Sequence, residues 1–220
     1  MSDAVRFPLV LGLISLCSAA GLAVSYTVTR DEIRFQQELT KARGLAAVLG
    51  VELDEKAMAD PDAPRPWKAL DYPGRKGQPE GGFTVYQAAD PATGRAVFAA
   101  EGRAQGYSSK VAVVVGAVHS DEAEPTALTV RRVKVVSQLE TPGLGSRCTE
   151  PGFQRQFDIL AASRLKLLKG VPYRDPSQGE AAQHGVSAIT GATVTSNAVV
   201  RAVRQALSRV GHHIEQQRGR

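Results

Sequence analysis

The sequence predicts an α+β domain, an antiparallel sheet with flanking helices, behind a single N-terminal transmembrane helix. Three observations lead there: an uncharged apolar run from Phe7 to Thr29, β-rich runs punctuated by turn residues between Phe83 and Val136, and a three-and-four apolar repeat near the C-terminus. The length of 220 residues suits one ordinary domain with an appended segment. With 43% hydrophobic and 22% charged residues, the chain is neither collagen-like, nor disordered throughout, nor a polytopic membrane protein.

Between Arg6 and Arg30 no residue is charged. As a helix, residues 7–29 would reach roughly 34 Å, enough for a hydrocarbon core of roughly 30 Å. A buried helix of a soluble domain fits such a stretch poorly at the N-terminus. A cleaved secretory signal competes, because Ser18-Ala19-Ala20 offers small residues at cleavage-like spacing; yet the apolar run continues to Val28 with only Arg6 before it. The stretch therefore reads as an uncleaved anchor. Leu16 before Cys17 does not suit a lipoprotein site. Arg30, Arg34, Lys41 and Arg43 follow the span, which by the positive-inside count points to a cytoplasmic C-terminal domain, although Asp31 and Glu32 interrupt the cluster.

The chain divides into a short tail (1–6), the anchor (7–29), a juxtamembrane helix and connector (30–82), the main domain (83–212) and a basic tail (213–220). Ile33, Leu39, Ala42, Leu45, Ala46 and Leu49 recur at helical spacing and predict a helix over 30–58. Five prolines and four glycines between 59 and 82 predict irregular chain, pinned to the core by Trp67. Phe83–Tyr86 and Ala96–Ala99 flank the turn residues Asp90–Gly94, a hairpin pattern. Val111–Val118 and Leu128–Val136 add two strands around the polar turn His119–Pro125, and the nearly unbroken apolar Val111–Val115 predicts an interior strand. Phe153, Phe157, Leu160, Ala161, Leu165 and Leu168 predict a helix over 153–169. A last helix is predicted from Ser196, with Val199, Ala202, Val203, Ala206, Leu207 and Val210 on one face.

The net charge of +5 is local: Arg201, Arg204, Arg209, Arg218 and Arg220 against Glu215 supply +4 of it. No aromatic-rich basic face accompanies them, so the charge does not make a nucleic-acid surface. Cys17 and Cys148 fall in different segments and form no metal or cluster motif. The four histidines lack ligand spacing, and the adjacent His212-His213 reads as solvated tail.

Two loops ask for more than packing. Ser187–Ser196 leads into the last helix, and four hydroxyls between Thr190 and Ser196, with Gly191 and Ala192 among them, give it the chemistry of an anion site at a helix N-terminus. The plainer reading is an N-cap by Thr195 or Ser196. No Gly-Lys-Ser/Thr follows, which excludes a P-loop. In Glu140-Thr141-Pro142-Gly143-Leu144-Gly145, the Pro-Gly turn is structural, whereas Leu144 between two glycines suits contact with a flat ligand or a partner surface.

Thr190-Gly191-Ala192-Thr193-Val194-Thr195-Ser196 together with Glu140–Gly145, behind one N-terminal span, resembles the FMN-binding subunit family RnfG/NqrC of ion-translocating electron-transport complexes, and in length lies closer to RnfG. The resemblance implies an FMN-binding domain whose FMN forms a phosphoester with Thr193, installed by a flavin transferase because no neighbouring side chain activates that hydroxyl. It implies that Thr190, Gly191, Ala192, Thr195 and Ser196 surround the phosphate, and that Glu140, Thr141, Gly143, Leu144 and Gly145 lie close to the ring. It further implies electron relay without a catalytic acid or base, other membrane subunits of an Rnf-type complex as partners, and a bacterial inner-membrane location with the flavin domain on the periplasmic side. Ser187 departs from the family pattern, which carries an acidic residue there. That departure leaves open a non-flavinylated binding or assembly module, beside a flavoprotein that is NqrC-like or serves another membrane pathway alone.

Overall fold

The computed structural model describes residues 3–60, 63–73, 81–120, 127–171 and 185–218. Its chain divides into two compact units, Met1–Thr40 and Lys41–Arg220, and helix α1 (Asp3–Leu49) contributes to both. In the first unit α1 is continuous through Pro8, and the segment is long and apolar enough to cross a membrane. Pro8 falls in the second turn, where its missing N–H forgoes one intrahelical bond, to the carbonyl of Ala4.

The second unit is built on a five-stranded antiparallel meander in the order β1 (Lys68–Tyr72), β2 (Phe83–Ala89), β3 (Ala96–Gln105), β4 (Lys110–His119), β5 (Leu128–Ser137). The hairpin predicted around Asp90–Gly94 joins β2 to β3, closed by Asp90 N–H donating to Arg95 O (2.8 Å) and Gly94 N–H to Asp90 O (2.8 Å). β4 is interior, as its apolar run predicts. Strand alternation sends Phe98, Ala100, Val111, Val113 and Val115 to one face, under the C-terminal helix α3 (Thr193–Arg218). Val97, Ala99 and Val114 go to the other, under Leu45, Val48 and Leu49 of α1, with Trp67 packed beside them. A register slip between Gly116 and Ala117 lets Val130 and Val133, three residues apart, face the same core.

Four expectations are corrected. The helix predicted over 30–58 ends at Leu49: Gly50 takes φ +74° and Val51 N–H donates to Ala46 O (3.1 Å), a glycine-ended cap. Arg131 and Arg132 complete that cap by donating to Leu49 O (2.8 Å) and Ala47 O (3.2 Å). The proline-rich connector holds strand β1, formed by the five residues after Trp67, which contain neither proline nor glycine. The helix predicted over 153–169 is one turn, α2 (Pro151–Gln154), then 3-10 turns at Arg155–Phe157 and Ala162–Arg164, then strand β6 (Leu167–Leu168) paired in parallel with β7 (Val186–Ser187). Its apolar positions Phe153, Phe157, Leu160 and Leu165 are buried as expected. The helix gives way because Ile159 N–H donates to Val130 O (2.9 Å) and Leu160 O accepts from Val130 N–H (3.0 Å), so pairing with β5 outcompetes the local repeat.

The fourth correction is at the end of the chain. α3 begins three residues before Ser196 and runs to Arg218, so the segment assigned to a solvated tail is helical. His213 is 1% exposed, its Nδ1 against the Tyr72 hydroxyl, and Tyr72 stacks on Phe83 at 5.0 Å. His212 remains exposed. Residues 74–80 of the connector, most of the His119–Pro125 turn and His184 lie outside the described residues.

Candidate functional site

The two loops singled out in the sequence meet. Glu140 to Gly145 follows β5 and turns back on itself, with Leu144 and Ser146 N–H both donating to Thr141 O (3.2 Å each). Gly191, at φ +78°, turns the second loop into α3, and a Cβ there would lie 3.1 Å from Leu144 Cδ2. The side chain of one motif thus reaches the backbone of the other.

Between them lies a cavity of about 550 Å³ lined by Glu140, Thr141, Leu144, Gly145, Gly191, Ala192, Thr193, Val194, Thr195 and Tyr107. A second cavity of about 690 Å³ shares Gly191 and Thr193 with the first and adds Thr190, Ser187 and the cations Arg147 and Lys169. Thr193, half-buried at the first position of α3, stands where the two cavities meet. First-turn N–H groups of a helix lack intrahelical partners and face the positive end of its dipole, so an anion is favoured at this corner. Another cavity of about 480 Å³, over β2 and β3 beside Lys41, contains none of the motif residues.

The hydroxyls expected to cap α3 do other work. Thr195 Oγ1 donates to Glu140 Oε2 (2.6 Å), and Ser196 Oγ donates to Ala192 O (2.9 Å) while accepting Ile189 N–H (3.0 Å). Ser196, fully buried, lines neither cavity; nor does Gly143, whose N–H donates to Ser146 Oγ (3.0 Å). These two residues shape the loops from behind.

Glu140 is a bracket. Only 6% exposed, its carboxylate accepts the N–H groups of Tyr107 (3.2 Å), Ser108 (3.1 Å) and Ser109 (3.0 Å) as well as the Thr195 hydroxyl. Burial alone pushes its pKa up, but the bonds from Thr195 and the three N–H groups together outweigh burial and hold the carboxyl below its ordinary range. Gly145 is required beside it, since a Cβ would sit 2.7 Å from Thr195 Oγ1 and 2.8 Å from Glu140 Cβ. Below the loop, Cys148 is fully buried, and burial followed by the Glu140 charge pushes its thiol up to about 11. No group of three His, Cys, Asp or Glu able to hold a metal occurs among the described residues.

Residues 106–208, which contain both loops, match the FMN-binding domain family. Over 90% of its length the chain is similar, at 26% identity, to the G subunit of the ion-translocating oxidoreductase complex of Methanosarcina acetivorans, covering 89% of that protein. By these two likenesses the chain is similar to the RnfG/NqrC family. A shorter similarity of higher identity runs to the G subunit of the proton-translocating ferredoxin:NAD(+) oxidoreductase complex of Clostridium ljungdahlii, 37% identical over 76 residues, 34% of this chain and 36% of that protein. The crystal structure of Shewanella oneidensis NqrC has the same fold: it superposes with a TM-score of 0.57 at 20% identity, covering 86% of this chain and 99% of that one.

The cavity fits the flavin that the family domain binds. Its volume lies within the usual range for cofactor sites, its lining is mostly small or apolar residues beside Glu140 and Tyr107, and it ends at a helix N-terminus suited to a phosphate. Sequence reasoning missed Tyr107, Arg147 and Lys169. Gly106-Tyr107-Ser108-Ser109, with its glycine and serines between two β runs, signals a turn, but nothing local says that this turn reaches Glu140. Arg147, two residues past the Glu140–Gly145 motif, pairs with Glu150 at 3.4 Å.

Proposed function

We propose that this chain is a membrane-anchored flavoprotein subunit that holds FMN as a phosphoester on Thr193 and relays electrons within an Rnf-type ion-translocating oxidoreductase complex. The observation that carries this reading is the position of Thr193: first residue of α3, at the junction of the two cavities, beside both family motifs. An ester-linked phosphate there keeps a negative charge that the helix N-terminus stabilises by about 0.3–1 kcal/mol, more where partly buried. Gly191 and Ala192 admit the phosphate close to the backbone, and Thr141, Leu144 and Gly145 line the room for the ring. The isoalloxazine supplies the redox chemistry, and the protein sets its position, exposure and potential.

The Thr-Gly-Ala-Thr-Val-Thr-Ser loop offers no histidine or lysine to activate the Thr193 hydroxyl, in keeping with attachment by a separate flavin transferase. The apolar segment of α1 supports anchoring in the bacterial inner membrane. Placement of the flavin domain on the periplasmic side rests on the family likeness and runs against the Lys/Arg count after the span. The partners are then the other membrane subunits of the complex. The test is intact mass and in-gel flavin fluorescence of the full chain co-expressed with a flavin transferase. The parent should carry one FMN adduct, and Thr193→Ala none. A covalent flavin that persists in Thr193→Ala would overturn the assignment.

A further inference from the structure

We propose that Tyr107 packs against the isoalloxazine of the Thr193-linked flavin, making it a cofactor-contacting residue outside both motifs; the inference rests on the flavin reading above. Tyr107 is 75% exposed, yet its backbone is firmly held. It sits in the β3–β4 turn, where Gly106 N–H donates to Ser109 O (2.8 Å) and where the N–H groups of Tyr107, Ser108 and Ser109 all converge on the buried carboxylate of Glu140.

A well-bonded turn here presents an aromatic at the rim of a cavity. The large apolar side chains exposed in the Lys41–Arg220 unit, among the described residues, are Tyr107, Leu139, Leu144, Ile159, Val171 and Val194. Three of them, Tyr107, Leu144 and Val194, line the same cavity as Thr193. Apolar surface gathered around one opening is covered at a gain when a flat, largely apolar ring settles into it, and ring-on-ring contact adds to area burial. Glu140 then links both halves of the site, holding the Tyr107 turn with one set of bonds and the first turn of α3 with its bond to Thr195.

The experiment compares native and denatured flavin emission in the full chain, purified in detergent after co-expression with a flavin transferase. An electron-rich phenol or indole in contact with an isoalloxazine quenches its emission, and a phenyl ring does so weakly. Tyr107→Ala should therefore keep the flavin band on a denaturing gel while its native emission rises several-fold over the parent, with a shift of the visible flavin band. Native emission and band position equal to the parent, with the flavin retained, would overturn the proposal. Should Tyr107→Ala fail to fold or to take up flavin, Tyr107→Phe and Tyr107→Trp decide: emission ordered Phe above Tyr above Trp supports the contact, and emission indifferent to the side chain overturns it. A parent chain without flavin on the denaturing gel overturns the Thr193 reading itself, and this proposal with it.

Discussion

Glu140 does its work through bonds to the protein itself. Its carboxylate saturates three successive N–H groups on one hairpin and a hydroxyl on α3, so removing it strands several donors at once. Glu140→Ala should cost about 3 kcal/mol, at the upper end for hydrogen bonds to a charged group, read as a lower midpoint in urea. Because folding lowers its pKa, the stability Glu140 contributes is fully present above the ordinary carboxylate range near 4.5 and is lost as pH falls through the lowered value. Melting curves below about pH 5 should fall more steeply for the parent than for Glu140→Ala. The sequence marked Glu140 as part of a motif but not as a bracket, because its partners lie 31–33 residues upstream and 55 downstream. The loop around Thr193 was legible as the approach to a helix for the opposite reason, since its small residues and hydroxyls are immediate neighbours, whereas the part given to Thr193 itself came from the family resemblance.

Among the elements, local signals predicted what local contacts decide. Strands β2 to β5 and the apolar face of α3 follow from periodicity and turn residues. The helix predicted over 153–169 failed because β5 offers its backbone to Ile159 and Leu160, a long-range competitor invisible to a helical repeat. The end of α3 was misread for a similar reason. His213 belongs to the packing of that helix on the sheet, where Tyr72 and Phe98 lie against it and Phe83 stacks on Tyr72. Burial lowers the His213 pKa from its usual 6.5, so the native state resists the proton that the unfolded chain accepts. Stability should be level above about pH 6.5 and should decline as pH falls below it toward the lowered value. The titratable neighbours are Tyr72, His212 and, over Phe83, Arg209. His213→Leu should flatten the melting-temperature profile between about pH 7 and 5.

For the whole molecule, the division between Thr40 and Lys41 gives a prediction by fractionation. The full chain should sediment with membranes and need detergent, whereas a chain starting at Lys41 should remain in solution with a cooperative melt, since both sheet faces stay covered by residues it retains. A truncated chain that aggregates or melts without cooperativity would count against two separable units. The uncharged stretch marked the apolar helix but not the break after Thr40, and the two motifs named in the sequence line one cavity. The bracket between them, and the aromatic it presents, emerge only when the chain is folded. Cys148 lies under the same bracket with no exposed surface and a thiol held far from its reactive form. Its inertness provides a clock. In a Cys17→Ser background, alkylation of Cys148 waits for the surrounding chain to open, so the labelling rate at saturating reagent times those openings.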